Sequence, residues 1–182
     1  TLIHKAESEE NAVLARNALK GVRDTIYSLR NDKYTPLTTA LSDWREEIKQ
    51  RTDAAQVELL WGIDNISETF FLSPRQRINL DRIIRESITN ILKHASPQSI
   101  SFSLNETDHN KQLIIIDNGH SSDSSCWQAN TGLYNLKTRA SEINASLRWS
   151  SLSSPPSLNT GTQLTITLPK METKPYALSP NS

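Results

Sequence analysis

The run Arg85-Glu86-Ser87-Ile88-Thr89-Asn90-Ile91-Leu92-Lys93-His94-Ala95 sets an acid, an amide and a base along one side of an amphipathic pattern. At about 100° per residue, Glu86, Asn90 and Lys93 fall within about 60° of one another, while Leu80, Ile83, Ile84, Ile88, Ile91 and Leu92 share the neighbouring face. A carboxylate, a neutral oxygen donor and an ammonium so grouped can hold a metal ion together with the phosphates it neutralises. The plain alternative is a solvated helix edge.

A second group of residues lies further along the chain, at the ends of expected elements. Asp117-Asn118-Gly119 follows an apolar run, Thr131-Gly132-Leu133 opens a helical pattern, and Gly161-Thr162 opens a strand pattern. A carboxylate at a strand end, such as Asp117, can accept a hydrogen bond from an exocyclic amine and so tell adenine from guanine. Gly119 has no Cβ, which would let a flat base approach its backbone. Gly132 begins a helix whose free amides and dipole suit phosphate oxygens. Gly161 and Thr162 would close the other side of a base pocket, the hydroxyl reaching the ligand directly or through water. Each signal alone is common punctuation; their order along the chain is what carries weight.

These residues need a scaffold, and the patterning supplies one. Ala12, Ala15, Leu19, Val22, Ile26 and Leu29 recur at spacings of three and four, a heptad seam that predicts a helix over residues 6 to 30 packing on a partner helix. Asn31 to Pro36 breaks it and marks the expected domain boundary; a shorter helix with Trp44 on its apolar side follows over residues 37 to 51. Residues 56 to 61 suit a short strand. Ser73 as N-cap and Pro74 at the first helical position start the helix that carries Glu86, which runs over residues 74 to 94. Strands over 99 to 104 and 111 to 116 pair across a polar turn. A polar loop spans 120 to 131, then come a helix over 133 to 143, a strand over 146 to 149 and a last strand over 162 to 168. Residues 170 to 182 read as a disordered tail.

Composition narrows the function classes. Lys plus Arg and Asp plus Glu are 20 each, so no net field draws the chain to nucleic acid or to an anionic membrane. The longest aliphatic run, residues 113 to 116, is far below the roughly 20 apolar residues a membrane helix needs, so the chain reads as soluble. One cysteine, Cys126, rules out an internal disulfide and a cysteine-rich zinc cluster. A start at Thr1 reads as a piece of a longer protein.

In this order, the motifs resemble the ATP-binding catalytic domain of sensor histidine kinases of the nitrate-sensor and membrane-fluidity-sensor subfamily, within the gyrase, chaperone, histidine kinase and MutL superfamily. The resemblance covers residues 36 to 169, and residues 1 to 35, whose helix ends Val22 to Arg30, are similar to the second helix of that subfamily's dimerisation hairpin, part of its histidine-phosphotransfer unit. It implies a Bergerat-type, two-layer α/β sandwich with a mixed, mostly antiparallel sheet and helices on one face. It implies Mg2+ on Asn90, Glu86 orienting the transfer or the metal's water, and Lys93 and His94 toward the phosphates. Asp117 would take the adenine amine with Gly119 beneath the ring. Thr131, Gly132 and Leu133 would close the far end of an ATP lid, and Gly161 with Thr162 would complete the adenine pocket.

The implied cofactors are ATP and Mg2+. The implied reaction is transfer of the γ-phosphoryl group to a histidine upstream of Thr1, for relay to the receiver domain of a response regulator. The implied setting is a cytoplasmic homodimer whose parent is anchored in a bacterial inner membrane, with no nucleic acid and no membrane contact by this piece. None of the four histidines fits the acceptor: His4 precedes Lys5, His109 falls in a turn, His120 in the lid and His94 in the nucleotide site. Two departures stand out. Asp117-Asn118-Gly119-His120-Ser121 lacks the second glycine of Asp-x-Gly-x-Gly, and Asn130-Thr131-Gly132 lacks the first of Gly-x-Gly. They keep open a non-catalytic dimerising module, and a serine kinase or ATPase on the same fold is the other alternative.

Overall fold

The computed structural model describes residues 34–63, 70–106, 110–120, 131–152 and 161–169. The expected heptad helix, the lid between 121 and 130, Cys126, His4, His109 and the tail lie outside them.

Among the described residues the first element is β1 (Thr35–Pro36), which pairs antiparallel with β3 (Phe71–Leu72) to brace the start of helix α1 (Leu37–Ala54). Neither two-residue strand has a signal in the sequence. Then come β2 (Glu58–Gly62), α2 (Pro74–His94), β4 (Ser99–Glu106), β5 (Asn110–Asp117), α3 (Thr131–Ser141), β6 (Ser146–Leu152) and β7 (Gly161–Pro169). The main sheet has five strands in the order β2-β4-β5-β7-β6. Only β2 and β4 run parallel, joined by the long crossover that contains α2; the other pairs are antiparallel. The expected α/β sandwich with a mixed, mostly antiparallel sheet is therefore the observed one.

Strand periodicity decides what faces the helices. In β5, Lys111, Leu113, Ile115 and Asp117 are buried while the residues between them are half-exposed, so the row that packs on the helices ends in a carboxylate. Leu164, Ile166 and Leu168 of β7, with Ile100 and Phe102 of β4, fill the same layer. Against it lie Leu37, Leu41, Trp44 and Ile48 of α1, Leu80, Ile83, Ile84 and Ile88 of α2, and Leu136 and Ala140 of α3. One core thus joins three helices to one face of the sheet.

The rotation of α2 is fixed at its start and along its length. Ser73 Oγ accepts from the Gln76 N–H (3.3 Å) and Gln76 Oε1 accepts from the Ser73 N–H (2.8 Å), a capping box with Pro74 at the first turn. Toward α1, Asp81 Oδ1 accepts from the buried Trp44 indole N–H (2.6 Å) and from Arg77 (2.7 Å), which also reaches Asp43. Arg85 grips Glu47 with two hydrogen bonds (2.8 and 3.0 Å), and Arg51 reaches Thr89 (3.0 Å). With that side tied to α1, Glu86, Asn90 and Lys93 are turned away from it.

Among the described residues, each helix is followed within three residues by a left-handed residue that is not glycine: Gln56 (φ 57°), Ser96 (φ 46°) and Asn144 (φ 55°). Against expectation, α3 sits two residues earlier, from Thr131, because Thr131 and Gly132 form its first turn rather than preceding it.

Candidate functional site

Two groups of the residues singled out above occupy one corner of the molecule. Asp117 ends β5 and is the register partner of Thr162 in β7. Because Thr162 shares the parity of Leu164 and Ile166, its side chain is on the helix-facing side, as is that of Asp117. Gly161, one residue earlier, lies so close to Asp117 that a Cβ would stand 2.0 Å from the Asp117 carbonyl oxygen. Gly119 is equally constrained, since a Cβ there would meet the Ala95 carbonyl oxygen at 2.2 Å. The requirement for glycine at 119 therefore comes first from Ala95, the residue after His94 of α2, rather than from a ligand. Asp117, Gly119, Gly161 and Thr162 are thus together, and they abut the end of the helix bearing Glu86, Asn90, Lys93 and His94.

Asp117 is only 1% exposed. Burial pushes its carboxyl above the ordinary carboxylate range, opposed by backbone N–H donors of Gly119, Thr162 and Asp117 itself. The Gly119 N–H reaches Oδ1 at 2.9 Å. A carboxylate has about four lone-pair sites, so these donors hold it rigid and leave room for a further donor. A fixed, desolvated acceptor of this kind suits an exocyclic amine.

On α2, Asn90 is half-buried and Glu86, Lys93 and His94 are exposed. Lys93 and His94 occupy the last turn, where the Lys93 ammonium offsets the negative end of the helix dipole whatever else it does. Among the described residues no three His, Cys, Asp or Glu side chains gather as metal ligands. A cation that arrives on phosphates needs few donors from the protein, and the oxygens α2 carries for one are the Asn90 amide and the Glu86 carboxylate.

The last part of the expected site is α3. Leu133 packs on the core, and Thr131 and Gly132 open the helix. Its far end is fixed to α2: Asn79 Nδ2 donates to Glu142 (3.2 Å), and Arg139 is close enough to Arg82 to help lower its pKa, after burial.

Sequence reasoning overlooked Asn118. Its Oδ1 accepts from the Gln98 N–H (2.9 Å) and the Ser99 N–H (2.8 Å), across the corner where β4 begins. The available signal was its place in Asp-Asn-Gly, since asparagine side chains habitually bond nearby backbone at turns.

No protein-family model matches the chain. Among curated proteins it is similar to the signal transduction histidine-protein kinase/phosphatase UhpB of Salmonella typhimurium, 26% identical over 159 residues, covering 86% of the chain and 30% of the relative. It is also similar to the sensor histidine kinase YvfT of Bacillus subtilis, 24% identical over 165 residues, covering 91% of the chain and 40% of the relative. The chain therefore spans well under half the length of these relatives. Among solved structures, the histidine kinase AdeS of Acinetobacter baumannii superposes with a TM-score of 0.61 at 12% identity, over 87% of the chain and 79% of that structure. The mycobacterial sensor histidine kinase MprB superposes with a TM-score of 0.57 at 18% identity, over 76% and 97%. The chain is thus similar in sequence to sensor histidine kinases, and its fold is that of solved histidine kinase catalytic domains.

Proposed function

We propose that the chain binds Mg-ATP in the corner between β5, β7 and the end of α2, and serves as the catalytic part of a sensor histidine kinase. The parent kinase acts in the cytoplasm as a dimer of the nitrate-sensor and fluidity-sensor kind and passes its phosphoryl group to a response regulator receiver domain. The observation that carries the reading is the buried, amide-held carboxylate of Asp117 beside two glycines that tolerate no Cβ, next to the helix of Glu86, Asn90 and Lys93.

Asp117 accepts from the adenine amine, and Thr162 supplies a hydroxyl at the other side of the base. Asn90 offers its amide oxygen to Mg2+, and Lys93 and His94 attract the phosphates. Held there by Asn90, Mg2+ would supply neutralisation of the phosphate charge. Glu86 accepts the N–H of the attacking imidazole, leaving the lone pair of the other nitrogen to form the N–P bond as the bond to the β-phosphate oxygen breaks and ADP leaves. Positioning and charge neutralisation do most of the work in such a loose transition state.

The test is a calorimetric titration of the folded chain with ATP, with and without Mg2+. Magnesium-dependent binding that is lost in Asp117→Asn and in Asn90→Ala is the expected result. A folded wild-type chain that takes no ATP would sink the proposal in favour of a non-catalytic interaction module. In the full-length kinase, Asn90→Ala should abolish autophosphorylation.

A further inference from the structure

We infer that Asn118 is a positioning residue that ties the adenine end of the site to the end of the phosphate-facing helix; the inference rests on the nucleotide reading above. Asn118 is exposed, and an exposed side chain has little reason to be fixed. Yet its Oδ1 takes two convergent backbone N–H groups, from Gln98 (2.9 Å) and Ser99 (2.8 Å), while its own N–H donates to the Ser99 carbonyl (3.3 Å). Two residues on, the His120 N–H donates to the Ala95 carbonyl (2.8 Å), and Gly119 lies against that same carbonyl. Asp117 and the Lys93-His94 end of α2 are thus stitched together across the segment from Ala95 to Ser99. A ligand that touches Asp117 with its base and α2 with its phosphates spans that stitch, so its affinity depends on how often both ends stand in register.

If removal of the side chain leaves the corner in register only about a tenth of the time, apparent affinity falls about tenfold with no lost ligand contact. By linkage, nucleotide must tighten the stitch by the same factor.

The experiment measures Mg-ATP affinity and thermal stability of the chain for wild type, Asn118→Ala and Asn118→Asp. The carboxylate keeps an acceptor oxygen in nearly the same place, so Asn118→Asp should bind within about threefold of wild type and Asn118→Ala about tenfold more weakly. Amide exchange at Gln98 and Ser99 in the wild-type chain, which needs no variant to fold, should slow when Mg-ATP is added. Should Asn118→Ala lose melting temperature but bind within twofold of wild type, or should Asn118→Asp lose as much affinity as Asn118→Ala, the positioning role is overturned. Exchange at Gln98 and Ser99 that ignores Mg-ATP overturns it too. If the wild-type chain takes no Mg-ATP at all, it is the nucleotide reading that falls, and this inference with it.

Discussion

Replacing Gly161 by alanine tests how tightly the site corner is built. The added Cβ would lie 2.0 Å from the Asp117 carbonyl oxygen, 3.1 Å from its carbonyl carbon and 3.2 Å from Asn118 Cα. An ordinary carbon–oxygen contact begins near about 3.3 Å, so β5 and β7 must separate locally by over about 1 Å, against a normal strand spacing of about 4.8 Å. Neither backbone can yield cheaply, because Asp117 and Thr162 are register partners and Asp117 is held by the amides around it. Overpacking of this kind costs about 1–3 kcal/mol, and rigid backbone on both sides puts Gly161→Ala at the upper end, about 2–3 kcal/mol. For a chain of this size that is a fall of roughly 5–10 °C in melting temperature. Gly62→Ala is the matched control: its Cβ would meet only Ser103 Cβ at 3.7 Å and the Phe102 oxygen at 3.9 Å, ordinary contacts. There the gain in chain stiffness should dominate, with no loss or a rise of up to about 1 kcal/mol. Thermal unfolding followed by circular dichroism decides the matter. If the two variants melted within 2 °C of each other, the reasoning about Gly161 would be refuted.

Asp117 carries a pH signature. Its folded pKa is raised above the ordinary 3.8, chiefly by burial, so Mg-ATP affinity followed by calorimetry should weaken on acidification at a higher pH than an exposed carboxylate would give. A raised folded pKa means that its contribution to stability is fully present below the unfolded value and is lost as pH rises through the folded one. In pH-dependent melting of the wild-type chain, the contribution of Asp117 should therefore fall as pH rises through its folded pKa rather than as pH drops. Asp81→Ala would strand the buried Trp44 indole N–H and should cost about 2 kcal/mol in urea unfolding, whereas Asp81→Asn keeps an acceptor and should cost far less. Gln56→Gly relieves a left-handed residue at the end of α1 and should add about 0.5–1 kcal/mol, read as a rise in urea midpoint.

The sequence marks some of these features plainly and hides others for physical reasons. α2 is readable to the residue because Ser73-Pro74 and Gln76 form its cap and its apolar period is unbroken. The β4–β5 hairpin is readable from the alternation over residues 99 to 104, the apolar run over 111 to 116 and the polar turn between them. The β1–β3 pairing is hidden because it joins two residues to two others across α1, with no local pattern. The parallel sense of β2 is hidden for the same reason: a short apolar run does not declare its partner. Of the site, Asp117 could be found from its place at a strand end, but its burial follows from parity with Leu113 and Ile115, which only the register reveals. Gly119 was visible as a glycine, while its reason, the Ala95 carbonyl, needed the fold.

The pairing of β5 with β7 also bears on when the site comes into being. α2 is assembled from neighbours in sequence, whereas the Asp117–Thr162 contact joins segments with a helix and another strand between them. Local structure forms fast and distant pairings wait on loop closure, so during folding α2 should be present before the corner proposed for the base exists. A nucleotide that needs both has nothing to grasp until the chain is nearly native. It would therefore leave the folding rate almost untouched and act by slowing unfolding, guarding the finished molecule rather than guiding its formation.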